Sequence, residues 1–207
     1  MRRIALFSAL LVALAACGTT GEATSSTAVA TTMVADETAT TESPEFPVMV
    51  DAANGVVVVE FRPERIVSLA PTATEMLFAI GAGDQVVAVD EFSNFPAEAP
   101  TTDLSGYEPN VEAVAALDPD LVLVSDDLND IVSALTSIEI PVIHHPAAAT
   151  LEDSYTQIEQ LGAATGNINV AASLVVSMQS EIDRLVTSMP EIEEPLSYYY
   201  ELDGSLF

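Results

Sequence analysis

The sequence has no lysine, no tryptophan and only one cysteine. The chain has five arginines and 32 aspartates and glutamates, which gives a formal charge of −27 over the 207 residues. Such a surface repels phosphate backbones, so the composition excludes nucleic-acid binding, and anionic lipid headgroups are poor electrostatic partners. A single cysteine also excludes a disulfide within the chain. The length is sufficient for one or two domains.

The amino terminus has the pattern of a secretory signal. Met1-Arg2-Arg3 is a short positive stretch, and an apolar run follows from Ile4 to Ala16. This run is too short and wrongly flanked for a spanning helix, whereas it suits a signal peptide. The sequence therefore predicts a signal peptide at residues 1–16.

The signal ends in Leu14-Ala15-Ala16-Cys17-Gly18, which resembles the lipobox of bacterial lipoproteins. The resemblance implies that Cys17 is lipid-modified after cleavage before it, which would anchor the protein to the extracytoplasmic side of the cell membrane. Cleavage would leave 32 acidic residues against three Arg, a formal charge of −29. An ordinary signal peptide with an incidental cysteine is the alternative. Residues 17–45, rich in Thr, Ser, Ala and Glu, are predicted to form a disordered linker.

Short apolar runs alternate with helix-like segments from residue 46 to residue 166. Asn54-Gly55 between two β-branched runs predicts a hairpin. Continuous apolar runs predict strands covered on both faces, as in a parallel sheet, at 66–70, 85–89, 121–125 and 140–145. Helices are predicted at 73–80, 111–117, 128–138 and 151–164. Asn110 is the expected N-cap of the second helix. Thr150 is expected to begin the fourth helix, which ends near Gly166. This alternation predicts one α/β lobe built on a parallel sheet.

The region after residue 166 differs from the lobe. Residues 167–190 keep helical apolar spacing without an internal Pro or Gly, which predicts one long linking helix. Residues 195–207 then read as a new strand with nothing to pair with. An isolated strand is not a stable end, so we expect the start of a second α/β lobe in a truncated chain.

Several segments in order resemble the substrate-binding proteins of ABC importers for cobalamin, ferric siderophores and haem, from about residue 47 to residue 207. These segments are the hairpin, "PERIVSLAPTATEMLFAIGAGDQVVAV", "SNFPAEAP", "PNVEAVAALDPDLVLV" and "YYYELDG". The resemblance implies two α/β lobes joined by a single long helix. It also implies a monomer without a cofactor, which captures a metal-chelate ligand and passes it to the membrane subunits of an ABC importer.

The ligand cleft is expected at the C-terminal ends of the parallel strands. The aromatic candidates on these loops suit stacking on a flat macrocycle, although Phe92 and Phe95 could instead pack under their own loop. Asp126 could accept hydrogen bonds from ligand amides, or it could be a solvated acid near the helix at 128. The full set of predicted ligand contacts is Pro71, Thr72, Phe92, Phe95, Tyr107, Ser125, Asp126 and His145.

Glu75 stands where the first strand of the sheet gives way to a helix, and it has two compatible interpretations. In the first, Thr72 is the N-cap of the helix and Glu75 completes a capping box. In the second, which the family resemblance implies, Glu75 faces outward and pairs with arginines of the transporter. Such exposed pairs contribute mainly orientation and association rate.

Two other functional classes are weaker candidates. His144-His145 suggests a metal site, but neighbouring strand residues point to opposite faces, and Ala70-Pro71 stands where related metal-ion binders supply a histidine. Contact of His145 with an organic ligand stays open. No G-x-S-x-G, P-loop or HExxH motif is present, so we do not expect an enzyme. A ligand-sensing lipoprotein without a transport role is a further alternative.

The placement of the arginines favours one cargo over the others. Anionic siderophores and haem propionates call for basic residues in the cleft. Arg62, Arg65 and Arg184 all lie outside the predicted cleft loops. The sequence therefore favours a neutral, amide-rich corrinoid such as cobalamin, with a ferric siderophore or haem next.

Overall fold

The computed structural model describes residues 45–190 and Ser197. The predicted signal peptide, nearly all of the predicted linker and the predicted strand at 195–207 lie outside the described residues, as does Cys17. No helix in the described part is both long and apolar enough to cross a membrane.

A β-hairpin opens the described region, as predicted. Strand β1 (Val48–Ala52) pairs antiparallel with β2 (Gly55–Val59). Gly55 has a φ of +96°, a left-handed conformation that glycine adopts without a steric penalty. The side chain of Asn54 then donates to the carbonyl of Val142 at 2.9 Å and accepts from the backbone N–H of His144. The turn therefore supplies hydrogen-bond partners for the backbone of Val142 and His144 in the main sheet.

Among the residues that the structure describes, the main sheet has four strands, all parallel, which confirms the predicted fold class. These are β3 (Ile66–Leu69), β4 (Val86–Val89), β5 (Leu121–Val124) and β6 (Val142–His144), in the order β4-β3-β5-β6. Every residue of β3 and β5, the two central strands, is buried. Because the strands run the same way, their carboxyl ends share one side of the sheet, which we call the C-terminal edge.

In the described part of the chain, five α-helices accompany the strands. They are α1 (Pro71–Ala79), α2 (Val111–Ala115), α3 (Ile131–Thr136), α4 (Leu151–Thr165) and α5 (Ile168–Ser188), with 3₁₀ turns at Gly83–Gln85 and Leu128–Asp130. The predicted caps of α2 and α4 are confirmed. Asn110 accepts from the N–H of Ala113, and Thr150 forms a capping box with Asp153. Gly166 ends α4 with a φ of +81°.

The helix predicted over 128–138 is shorter than expected. Asn129 and Asp130 adopt left-handed conformations, with φ of 58° and 55°, and α3 begins only at Ile131. Asn and Asp tolerate this region better than other non-glycine residues, so they can interrupt a helical pattern. Asp127 then accepts a hydrogen bond from the N–H of Val132.

The sheet separates two apolar cores, because successive strand residues point to opposite faces. On one face, Leu121 and Leu123 of β5 pack with residues from α1, α4, α5 and the hairpin. On the other face, Val122 and Val124 pack with residues from α2 and α3. Coverage of both faces explains why the strand sequences are continuously apolar.

The long helix α5 packs against α4 near its start. Gly162 of α4 has no room for a Cβ because Ala171 of α5 lies against it, and Ala171 and Val175 are buried. At 21 residues, α5 is about 31 Å long. Its later apolar side chains Val176, Leu185 and Val186 are exposed within the described part of the chain.

Candidate functional site

The C-terminal edge of the sheet holds the predicted ligand contacts. Pro71 and Thr72 follow β3 at the start of α1, Phe92 and Phe95 lie in the loop after β4, Ser125 and Asp126 follow β5, and His145 follows β6. Tyr107 reaches the edge differently, through the loop that precedes α2. Contact with a ligand stays a prediction for each of them.

The aromatic side chains at the edge are open to solvent. Phe92, Phe95 and Tyr107 are 51%, 63% and 69% exposed. The rings of Phe92 and Tyr107 meet edge to face, with centroids 5.6 Å apart and planes at 82°. Phe92 and Phe95 therefore do not pack under their own loop, and two of the predicted aromatic residues form one surface.

Gly106 lets the loop before α2 lie directly on the edge of the sheet. A Cβ at this position would come within 2.6 Å of the carbonyl oxygen of Leu69 and 2.9 Å of Asp90 Oδ2. The first neighbour is backbone of a buried strand and cannot move aside cheaply. Only glycine allows this approach, which carries the next residue, Tyr107, to Phe92.

Substitution Gly106→Ala tests this close approach. The added methyl group should push the loop off the edge and destabilise the fold by about 1–3 kcal/mol, the usual effect of overpacking. It should also separate Tyr107 from Phe92. Urea unfolding followed by circular dichroism measures the first effect, and tyrosine fluorescence reports the second. A variant as stable as the wild type would contradict the steric role.

Buried hydroxyl groups lie just beneath the edge. Thr74 Oγ1 is 2.9 Å from Ser68 Oγ, 3.1 Å from Ser93 Oγ and 3.1 Å from the carbonyl oxygen of Ala70. The three hydroxyl residues are each buried. They join β3, α1 and the loop after β4, so they hold the base of the candidate site rigid.

Sequence reasoning missed this layer and also missed Asp90, the buried acid that follows β4. The available signal was a polar residue within or directly after an apolar run, as in "QVVAVD" and "IVSLA". Such a residue must have a partner or a function, because burial of an unpaired polar group is unfavourable.

The capping-box interpretation of Thr72 and Glu75 is wrong. Helix α1 begins at Pro71, its N-cap is Ala70, and no side chain caps it. The fixed φ of proline and its missing N–H suit the first helical position, so the helix starts earlier than expected. Glu75 is exposed and makes no hydrogen bond or ion pair with any described residue.

Ser125 and Asp126 lie at the mouth of the loop after β5. Asp126 is exposed, and its Oδ2 lies 3.4 Å from the hydroxyl of Ser125. The neighbouring Asp127, rather than Asp126, binds the start of α3. Asp126 therefore has no structural partner beyond Ser125 among the described residues, and its carboxylate faces solvent.

The two histidines have different neighbours. His144 Nε2 lies 3.1 Å from the carbonyl oxygen of Ser125. His145 is buried, and it lines a cavity of about 370 Å³ beside α4, together with Gln157 and Gln160. Neither Phe92 nor Tyr107 lines that cavity. In the part of the chain that the structure describes, no three His, Cys, Asp or Glu side chains are grouped so as to hold a metal ion.

Burial lowers the pKa of His145 to about 4, with Gln160 opposing the shift and His144 adding slightly to it. The Nε2 atom has no hydrogen-bond partner among the described residues, so a proton added there would have no acceptor. The amide nitrogen of Gln160 itself donates to the carbonyl of Asp51 at 2.6 Å. His145 is therefore neutral in the folded protein at neutral pH.

This shift predicts a pH dependence of stability. The folded pKa lies below the unfolded value, so the unfolded chain binds the extra proton, and stability falls as the pH drops from 6.5 to about 4. The loss from this group should reach about 3 kcal/mol. Urea unfolding of the wild type and of His145→Gln across this range separates the contribution of His145 from that of the carboxylates, which both proteins share. An unchanged difference between the two proteins across the range would contradict the assignment.

A larger cavity in the described region lies away from these residues. It measures about 900 Å³ and lies between β2 and α3, with Val58, Phe61 and Thr136 among its lining residues. None of the predicted ligand contacts lines it. We place the candidate site at the C-terminal edge because parallel α/β sheets bind ligands there.

An α/β lobe with exposed aromatic rings at the C-terminal edge of a parallel sheet has the organisation of one half of a ligand-binding protein. The family comparison agrees with this class. The chain belongs to the periplasmic binding protein family, whose model matches residues 66–207.

Curated relatives include binding proteins for cobalamin. A cobalamin-binding protein of Halobacterium salinarum is 34% identical over 161 residues, covering 74% of this chain and 44% of that protein. An uncharacterized ABC transporter substrate-binding lipoprotein of Bacillus subtilis, YvrC, is 34% identical over 190 residues, covering 87% and 57%. A vitamin B12-binding protein of Pectobacterium carotovorum is 35% identical over 127 residues, covering 59% and 46%. The chain thus spans about half the length of these relatives.

Solved structures share the fold. The periplasmic heme binding protein HutB of Vibrio cholerae is 30% identical, with a TM-score of 0.57 over 63% of this chain and 51% of that one. A possible iron-binding protein from Staphylococcus epidermidis has the same TM-score at 23% identity, covering 65% and 54%, and supports the fold alone.

Proposed function

We propose that the protein captures a metal-chelate ligand outside the cytoplasm and delivers it to the membrane subunits of an ABC importer. The ligand we favour is cobalamin or another corrinoid, with a ferric siderophore or haem next. The protein would act as a monomer and a binding protein, not as an enzyme. The names of its curated relatives support a binding role.

The observation that carries the proposal is the aromatic surface of Phe92 and Tyr107 at the C-terminal edge of the sheet. Two exposed rings in edge-to-face contact offer an apolar surface, on which a flat macrocycle can stack against one ring and touch the edge of the other. A solvent-facing carboxylate at Asp126 and the hydroxyl of Ser125 could bind polar groups at the ligand periphery.

The positions of the arginines favour a ligand that presents no carboxylate group to this lobe. Arg62 donates to the carbonyl of Thr165, Arg65 to the carbonyls of Leu117 and Asp118, and Arg184 pairs with Glu181. None of the groups that they bind belongs to a loop of the C-terminal edge. This half of the cleft thus favours amide groups over the propionates of haem.

A binding titration tests the proposal. The complete gene product would be titrated with cyanocobalamin, hemin and a ferric hydroxamate, with detection by visible absorption and by calorimetry. We expect saturable one-to-one binding of cyanocobalamin, weakened at least tenfold by Phe92→Ala or Tyr107→Ala. Saturable binding of free Zn²⁺ or Mn²⁺ with no binding of the chelates would favour the metal-ion alternative.

A ligand sensor without a transport role is the second candidate, and it would bind the same ligands. Uptake separates the two. Deletion of the gene should abolish accumulation of radiolabelled cobalamin at limiting concentration if the protein serves an importer, whereas uptake would persist if it only senses the ligand.

A further inference from the structure

Asp90 is a buried carboxylate at the C-terminal edge, only 2% exposed. It follows β4 directly, and its backbone N–H donates to the carbonyl of Ser68 at 3.1 Å. The backbone N–H of Ser93 donates to its Oδ1 at 2.8 Å. One carboxylate oxygen is therefore bound, and the orientation of the side chain is fixed.

The other oxygen, Oδ2, has no hydrogen-bond donor among the described residues. It points toward Gly106, where a Cβ would come within 2.9 Å of it. The fully enclosed polar atoms without a partner in the described region are Gln85 Oε1 and His145 Nε2. Asp90 Oδ2 is not one of them, so the described residues do not enclose this oxygen fully.

No cation offsets this carboxylate in the described region. The one ion pair among the described residues joins Arg184 to Glu181 on α5, and Arg62 and Arg65 bind backbone carbonyls elsewhere. Burial of a carboxylate is unfavourable unless it is paired or fully hydrogen-bonded. Oδ1 of Asp90 is bound and Oδ2 has no donor among the described residues, so Oδ2 can accept a hydrogen bond from a molecule outside the lobe.

The neighbours of Asp90 place this acceptor beside the aromatic surface. Phe92 lies two residues after Asp90, Tyr107 lies one residue after Gly106, and the two rings are in contact. A flat ligand stacked on one of these rings and touching the edge of the other would carry its peripheral groups past Gly106. A side-chain group on that periphery would then lie within reach of Asp90 Oδ2.

We propose that Asp90 contacts the ligand and selects an N–H donor, such as a primary amide, at this point of its periphery. This inference rests on the proposed function. A charged acceptor with a good donor forms a stronger hydrogen bond than a neutral pair does. A ligand carboxylate at the same place would face repulsion and leave two unpaired charges, so such ligands are rejected.

The test compares two probes that differ in one group. Cyanocobalamin carries side-chain amides, and its monocarboxylic derivatives replace a single amide by a carboxylate. For at least one isomer, the complete wild-type protein should bind the amide form at least tenfold more tightly. In Asp90→Asn this preference should fall to near unity, because the asparagine amide can donate to a carboxylate as well as accept from an amide.

Asp103→Asn is the matched control, since it removes the same charge from an exposed position of the neighbouring loop. It should keep the wild-type preference. Asp90→Ser retains an acceptor for the N–H of Ser93 and serves as a second variant if Asp90→Asn fails to fold, which thermal unfolding would show.

The outcomes separate the two claims. If the wild type binds any of cyanocobalamin, hemin or a ferric hydroxamate, and a folded Asp90 variant binds it with unchanged affinity and selectivity, the role of Asp90 is overturned and the proposed function stands. If the wild type binds none of the three, the proposed function fails, and the role of Asp90 fails with it.

Discussion

Replacing Glu75 with glutamine should lower ligand uptake about tenfold or more, while ligand affinity and thermal stability stay unchanged. Glu75 is exposed on α1 and has no hydrogen bond or ion pair with any described residue, so the fold does not depend on its charge. If the charge pairs with an arginine of the transporter, its loss removes about 1.4 kcal/mol or more of coupling, which corresponds to this factor.

The absence of a capping box makes this experiment cleaner than the sequence suggested. With Ala70 as the N-cap, neither Glu75→Gln nor Glu75→Ala removes a cap, so a change in uptake cannot arise from a loosened helix. Glu159→Gln is the matched control, because it removes one exposed charge from the middle of α4.

Uptake of radiolabelled ligand in cells and binding to the transporter in detergent or nanodiscs are the two measurements. We expect both to fall together for Glu75→Gln and neither to change for Glu159→Gln. A loss of ligand affinity with normal docking would show that the proposed role of Glu75 is wrong, and so would full uptake by the glutamine variant.

The sheet could be predicted from the sequence because burial on both faces leaves a strong local signal. The runs at 66–70, 85–89, 121–125 and 140–145 differ from the observed strands by at most two residues at either end. A strand covered by helices on both sides has no polar face, so its apolar run is unbroken.

The errors in the helices have local causes that apolar periodicity does not encode. Pro71 moved the start of α1 two residues earlier than predicted, because proline at the first turn is favourable. Asn129 and Asp130 divided the predicted helix at 128–138 through their left-handed conformations. In both places the identity of one or two residues outweighed the pattern of the segment.

The candidate site was only partly predictable. Residue type and loop position selected Phe92 and Tyr107 as candidates. Their edge-to-face contact, however, depends on the close approach of the loop before α2 to the sheet, which Gly106 permits. No sequence pattern identifies a glycine that is needed for a close approach, so its role becomes visible only in the three-dimensional structure. The same holds for Asp90, whose burial follows from the loop that covers it.

The proposed function would also involve a residue outside the described part of the chain, Cys17, the predicted site of lipid attachment. An anchored binding protein stays near its transporter, so the linker at 17–45 would set its effective concentration there. This benefit requires stable anchoring, and a single acyl chain gives only marginal, reversible membrane binding, whereas two or more hold firmly. The anchor hypothesis thus implies more than one acyl chain on the protein.

Substitution Cys17→Ser should therefore move nearly all of the protein out of the membrane fraction, or leave it unprocessed with its signal peptide attached. Cys17 is the only cysteine, so the change disturbs no disulfide and removes the one thiol that lipid could modify. Fractionation with immunoblotting, together with intact mass of the purified protein, measures both outcomes. Ser26→Ala in the same segment is the control and should stay with the membrane. A wild-type protein that is wholly soluble, or that has no added acyl mass, would show that the cysteine is incidental.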